Sequence, residues 1–410
     1  MKKSFVGILL YIILILTFAS FNLAGTYGSN IYVVLIVLLL LLSFIHEKKK
    51  NPFGYNIFFS IYGIFVVICL FSNLWAHNKE LSLNTSSSLL RIWLAFLLIY
   101  GVVKRYTIEM LYKVIMWGGT AFLLYTIITT GVSEIIIMSQ MGVRFNGEEF
   151  NANALGLLGS VVSVIWFSFY LYKGFSPNII AGVIGVIIVV LTGSRKAFVT
   201  LVLGFFLVYM LKSRIKNIPV FIIKSTVVAI LVFFIINILF TTSLFSLNAG
   251  RFESFTAYLM GDDNMISHSD LMRKLLIEAG WNQFVKTPVL GIGIDNGKLL
   301  AEMATGHFYY LHNNYVELLA DVGIVGFLSF YILYIYFGKR MYQSYNNWNE
   351  YSKLAVILML MLLVSDWGRV SYYYKDTLFI LMVCYQTMAD TVSRSKFKEV
   401  ILKHNFKKNE

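Results

Sequence analysis

Polar residues interrupt this chain at intervals set by something other than a soluble core. Apolar runs begin near Ser4, Ile31, Ile57, Ser86, Met110, Ala152, Asn178, Ala197, Ile218, His312, Leu354 and Thr377. About 20 residues of helix cross a hydrocarbon layer, and these runs have that scale. The pattern predicts an all-α polytopic integral membrane protein with about 12 transmembrane helices, residues 1–410 forming a single transmembrane domain.

Most connections between the runs are short, and two are not. One covers residues 131–151 and contains VRFNGEEFNANALG; the other covers residues 241–311. Structureless loops of the second length are uncommon, and this one keeps Leu, Ile, Trp and Phe. Within it, Ser267 followed by Asp270 resembles a capping box and predicts a helix over about 269–285. We expect that helix to lie along the membrane surface, ended by Pro288, with the turn GIGIDNG at 291–297 after it.

Composition sharpens the picture. Of 410 residues, 58% are hydrophobic and 13% charged, against about 25% charged in soluble domains. The first run follows Met1, Lys2 and Lys3 and is long enough to read as an anchor helix rather than a cleaved signal. With both termini placed in the cytoplasm, the inner segments hold 22 of the 34 Lys and Arg but only 6 of the 21 Asp and Glu. That is the expected bias of cytoplasmic loops, and it places residues 241–311 on the extracytoplasmic side. It also accounts for the formal charge of +13 as topology, so nucleic acid is not an expected partner. Cys69 and Cys384 both fall inside apolar runs, which excludes a disulfide framework or a CxxC pair.

Charged groups at the ends of membrane helices are costly unless used, so Arg144, Arg195, Arg273 and His312 become the candidates for chemistry. Arg195, in LTGSRKAF between two apolar runs, either snorkels to lipid headgroups or presents a fork matched to phosphate oxygens. His312 opens the run HNNYVELLADVGIVG, and imidazole is the side chain suited to take a proton near neutral pH. On a helix starting at His312, Glu317 would sit about 140° away and make a poor partner for it. Glu317 and Asp321, at i and i+4 in the same run, need partners of their own. Asp262 and Asp263 could hold a cation but read better as a solvated turn. Tyr309, Tyr310, Tyr372, Tyr373 and Tyr374 gather at the outer face, as a sugar-stacking surface or an interfacial belt. No Walker A, HExxH, GxSxG or GxGxxG sequence is present.

Taken in order, RFNGEEFNANALG, LTGSRKAF, Arg273 with Trp281, Pro288 and GIGI, and HNNYVELLADVGIVG resemble the O-antigen polymerase and O-antigen ligase superfamily. The resemblance covers about residues 144–326. It implies a fold like the C-type membrane glycosyltransferases, a multi-pass protein of the bacterial cytoplasmic (inner) membrane, and an undecaprenyl diphosphate-linked oligosaccharide as donor. It implies His312 as the catalytic base and Arg195, Arg273 and Arg144 around the diphosphate, with Asn313 and Glu317 in support. The first outer loop, AGTYGSN, has no carboxylate, which fits a metal-independent transfer without a cofactor. A polymerase joining repeat units of O-antigen, capsule or exopolysaccharide, with membrane lipid around it and a chain-length regulator as partner, is the leading expectation. A ligase moving finished glycan to an anchor is the alternative, and a lipid-linked glycan flippase or transporter the rival from another class, although matched halves with broken midplane helices are not evident.

Overall fold

The computed structural model describes residues 5–23, 25–46, 55–141, 143–147, 151–212 and 268–406. Among the described residues the regular elements are all helical. In chain order they are α1 (Phe5–Ser20), α2 (Gly25–His46), α3 (Ile57–Ser72), α4 (Lys79–Val103), α5 (Ile108–Thr130), α6 (Val132–Gln140), α7 (Ala152–Lys173), α8 (Ile179–Leu191), α9 (Arg195–Lys212), α10 (His268–Lys286), α11 (Gly297–Thr305), α12 (Asn314–Gln343), α13 (Glu350–Asp366) and α14 (Lys375–Phe406). Helices stand at every apolar run noted above except the one from Ile218, which lies outside the described residues, as do Asp262, Asp263 and Ser267.

Four helices, α4, α5, α7 and α12, are long and apolar enough to cross a membrane by length and composition; α1, most of α2, α3 and α8 are shorter apolar helices. Their outward faces carry large apolar side chains such as Phe5, Val34, Ile64, Leu94 and Ile335. In water such a surface would be a liability, whereas in lipid it is the matching solvent. The chain is an integral membrane protein.

The helices fall into two compact units, Met1–Gly118 with Arg273–Glu410, and Gly119–Met272. The first unit is packed by rings. Phe18 and Phe96 flank Phe379 at centroid distances of 5.3 and 6.3 Å, and Phe65 lies against Phe330 and Tyr372. Buried Tyr62 donates its hydroxyl hydrogen to the Tyr372 carbonyl at 3.0 Å, tying α3 to the turn between α13 and α14.

The second unit is packed by the absence of side chains. Helix α7 lies so close to α8 that a Cβ on Gly159 would fall 2.7 Å from the Gly185 carbonyl oxygen. Ser163 and Ser160 donate to the carbonyls of Gly182 and Ala197 at 3.1 and 2.7 Å. Small residues and inter-helix hydroxyl bonds are how helices hold together where lipid removes the hydrophobic drive.

Candidate functional site

The HNN sequence does not begin a helix at His312. Asn313 is the N-cap of α12, extended at φ −147°, and its side chain accepts from the N–H groups of Tyr315 and Val316 at 3.0 and 3.2 Å. Two of the orphan donors of the helix start are satisfied this way. His312 therefore stands before the helix, in the left-handed region at φ 56°. For a residue with a Cβ that conformation is uncommon and costs of order 1–3 kcal/mol, so the surrounding contacts must impose it. The expectation of a helix starting at His312 is corrected accordingly: His312 belongs to the turn, with its ring 4.2 Å from that of Tyr310 and 6.4 Å from that of Tyr309.

The two carboxylates of the same run are engaged by backbone. Glu317 accepts from the N–H of Leu311 at 2.7 Å, closing the His312 turn from behind. Asp321 accepts from the N–H of Asp295 at 2.7 Å and that of Gly297 at 2.5 Å. It thereby places a carboxylate at the start of α11, where the exposed N–H groups favour an anion.

The position of Asp321 follows from a break in α12. Gly323 has φ 62° and ψ −168°, which is not helical. In an unbroken helix the Ile324 and Val325 N–H groups would bond to the carbonyls of Ala320 and Asp321. Instead they donate to Pro288 and Val289 at 2.9 and 3.4 Å, while Ala320 and Asp321 accept from Ile292 and Gly293 at 3.1 and 2.7 Å. The break exchanges helix bonds for bonds to residues 288–293, so these four backbone groups keep partners. Glycine is required there: a Cβ on Gly323 would lie 2.3 Å from the Val289 oxygen.

The GIGIDNG turn is fastened on its other side to the start of α4. Asn296 accepts from the Asn78 N–H at 2.6 Å, Ser72 accepts from the Ile294 N–H at 3.1 Å, and Asp295 binds Thr85 and Lys298 at 2.8 Å each. Leu276 of α10 joins Ile292, Leu300, Leu311 and Val316 in one apolar cluster beneath the turn. Helix α10, which spans His268–Lys286, carries Arg273. The Tyr310 phenol is pushed up to about 12 by burial and by Tyr374, while the charges of Arg369 and Arg273 pull it back. Tyr310 thus feels the charges of Arg273 and Arg369, with the His312 ring 4.2 Å from its own. The sequence reading missed Arg369; the available signal was an arginine inside SDWGRVSYYYKD, among tyrosines already noted.

Arg144 and Arg195 belong to the second unit, and both are bonded to protein. Arg144 donates to the Thr192 carbonyl at 2.8 Å and to Asn153 Oδ1 at 2.9 Å, and Ser194 donates to the same Asn153 oxygen at 2.9 Å. RFNGEEFNANALG and LTGSRKAF are joined by these bonds. Arg195 Nη2 donates to both carboxylate oxygens of Asp270, at 2.7 and 3.0 Å, with both side chains largely buried. The sequence reading paired Asp270 with Ser267 in a helix cap, and Ser267 lies outside the described residues; among the described residues Asp270 binds Arg195. Among the described residues no cluster of three His, Cys, Asp or Glu side chains is arranged to hold a metal.

Residues 180–331 match the family described as O-antigen ligase. The matched span takes in Arg195, Arg273, His312, Asn313, Glu317 and the Gly323 break, and leaves out Arg144 and Arg369. No curated protein matches the chain. The match supports the O-antigen polymerase and ligase resemblance read from the motifs.

Proposed function

We propose that this protein is an extracytoplasmic glycan polymerase of the bacterial inner membrane. It joins oligosaccharide repeat units by transfer from an undecaprenyl diphosphate donor to an acceptor sugar hydroxyl. The observation that carries the reading is the His312 turn, a left-handed histidine held between an N-capping Asn313 and the Glu317 bond to Leu311, in the span matching the O-antigen ligase family. A base fixed by its backbone is pre-oriented for proton transfer.

In this mechanism the His312 imidazole takes the proton of the acceptor hydroxyl as its oxygen attacks the anomeric carbon. The bond from that carbon to the diphosphate oxygen breaks, the electron pair leaves with undecaprenyl diphosphate, and the centre inverts. Arg273 stabilises the charge on the leaving group; the resemblance assigns Arg195 and Arg144 to a diphosphate as well, but the bonds of Arg144 to Thr192 and Asn153 give it the joining of two motifs instead. Asn313 and Glu317 position the turn through the backbone. The residues supply proton transfer and charge stabilisation without calling on a metal or cofactor.

A ligase transferring finished glycan to a lipid or other anchor uses the same groups and is the alternative reading, which the match to the O-antigen ligase family favours. Transport of the lipid-linked glycan is the remaining rival. Twelve spans, the outer placement of residues 241–311, cytoplasmic termini and association with a chain-length regulator complete the proposal.

The test replaces His312 or Arg273 by Ala in the native host at equal membrane abundance, and resolves lipid-linked and surface glycans by length. Single exported repeat units support the polymerase. Long polymer retained on the lipid carrier replaces it with the ligase, and an unchanged ladder in both variants overturns the catalytic assignment in favour of transport.

A further inference from the structure

Arg369 lies in the turn between α13 and α14, with its side chain about nine-tenths buried. Its guanidinium carbon is stacked 3.8 Å from the Tyr374 ring centroid, and Nη2 reaches Asp376 Oδ1 at 3.4 Å. Among the described residues that is its one hydrogen-bond partner, and the buried Nε has none. Charge-assisted bonds from nitrogen to carboxylate normally close to about 2.7–2.9 Å, and a structural arginine usually engages its carboxylate through both arms of the fork. The turn's other carboxylate, Asp366, is bonded instead to Tyr331 at 2.9 Å and Asn314 at 3.4 Å. A buried guanidinium left this far from saturation is costly, and in a membrane protein such a group marks a ligand site.

The turn is also rigidly placed. Asn314, two residues beyond His312, accepts from the Ser371 N–H at 2.8 Å, and Tyr62 holds the Tyr372 carbonyl at 3.0 Å. Arg369 is therefore fastened to the segment that carries His312, and its charge and that of Arg273 both act on Tyr310, whose ring lies 4.2 Å from that of His312.

We infer that Arg369 is a further anion-binding residue of the transfer site, donating its unpartnered guanidinium N–H groups to a phosphate of the lipid-linked diphosphate while Tyr374 and Asp376 hold its plane. This inference rests on the proposed donor chemistry. It divides the diphosphate between Arg273 on α10 and Arg369 on the α13–α14 turn, which Asn314 ties to the segment carrying His312. Phosphate recognition by a held fork is geometric as well as electrostatic, so lysine is a poor substitute.

The full-length protein, purified in detergent as wild type, Arg369→Gln and Arg369→Lys, is titrated with undecaprenyl diphosphate, undecaprenyl monophosphate, undecaprenol and phosphatidylglycerol, and melting temperatures are recorded alongside. Wild type should prefer the diphosphate. Arg369→Gln should lose about tenfold to a hundredfold in diphosphate affinity, and most of its preference over the monophosphate. Arg369→Lys should fall between the two. A merely structural arginine would lower the melting temperature without changing the ratio of diphosphate to monophosphate affinity. An unchanged ratio in a folded Arg369→Gln protein overturns the inference and leaves the proposed function standing; if that variant does not accumulate, the ratio in Arg369→Lys decides in the same way. Equal losses toward phosphatidylglycerol would assign Arg369 to lipid headgroups and overturn it too. A wild type that binds diphosphate no better than undecaprenol would remove the donor reading along with it.

Discussion

Two groups of charged residues, one in each unit, handle the same problem in opposite ways. In the second unit the cations are satisfied by protein: Arg195 by both oxygens of Asp270, Arg144 by a carbonyl and an amide. In the first unit the backbone holds the anions, Glu317 through one oxygen and Asp321 through both, by three N–H groups between them, while Arg369 is left with one long contact. A charge bonded to backbone fixes where the chain runs, and cannot leave without stranding a buried donor. A charge bonded to another side chain can exchange that partner for a substrate oxygen. The difference separates residues that shape the site from residues that can act in it, and each substitution below bears on that division.

The largest effect is expected at His312. Replacing it by Ala should reduce the transfer rate by about 10²–10⁴, the contribution of a positioned base, with membrane abundance and melting temperature near wild type. A quantitative assay on membranes with a lipid-linked donor would show it; a loss below about tenfold would make His312 a structural member of its turn. Relief of the left-handed strain is not expected to stabilise His312→Ala, because alanine also disfavours that region.

Gly323→Ala should remove activity from the opposite direction, through the backbone. The substitution meets the Val289 oxygen and demands a left-handed alanine, which costs about 1–2 kcal/mol before any clash is counted. The bonds between residues 288–293 and 320–325 would be lost with it. We expect both the melting temperature and the accumulated protein to fall, whereas His312→Ala changes the rate alone. An active and fully stable Gly323→Ala protein would show that the break in α12 is incidental.

How much of this was legible beforehand depended on what each residue answers to. Helix positions were readable because lipid imposes a length and an apolar composition on every span. His312, Arg273 and Arg195 became candidates because membrane charge is expensive. Partners were not. Pairing Glu317 with Leu311 requires knowing that the helix starts after His312, and the cue for that was Asn313, a strong N-cap residue read only as part of a motif. Asp321 could not be matched to Asp295 and Gly297, 24 to 26 positions earlier, without the break at Gly323 that brings the GIGIDNG turn alongside. Arg369 was passed over because its neighbours in sequence are tyrosines, whose abundance in an interfacial belt hides a cation stacked on one of them.

The Arg195 and Asp270 pair tests the comparison more finely. If Arg195 exchanges Asp270 for a phosphate during turnover, Asp270→Asn should preserve or increase donor affinity, since it removes the competing charge, while Arg195→Ala should lower the rate by about 10²–10³. If the pair is only a brace, both single variants should lose similar stability, on the order of 3–5 kcal/mol for a broken buried pair, and the double variant should recover part of it. Unfolding in detergent and donor titration on the same preparations separate the two.

Arg144→Lys should have the smallest effect. Lysine keeps the charge but cannot reach the Thr192 carbonyl and Asn153 in the planar arrangement that Nε and Nη2 achieve, so one of the two bonds should be lost. That predicts a loss of about 1 kcal/mol in stability, within the range of a single hydrogen bond, and less than a threefold change in rate. Arg144 lies outside the span that matches the O-antigen ligase family, which agrees with a residue that joins two motifs rather than holding substrate. A rate loss of a hundredfold at unchanged stability would move Arg144 out of the group that shapes the site and beside Arg273, and would require its bonds to Thr192 and Asn153 to open during turnover.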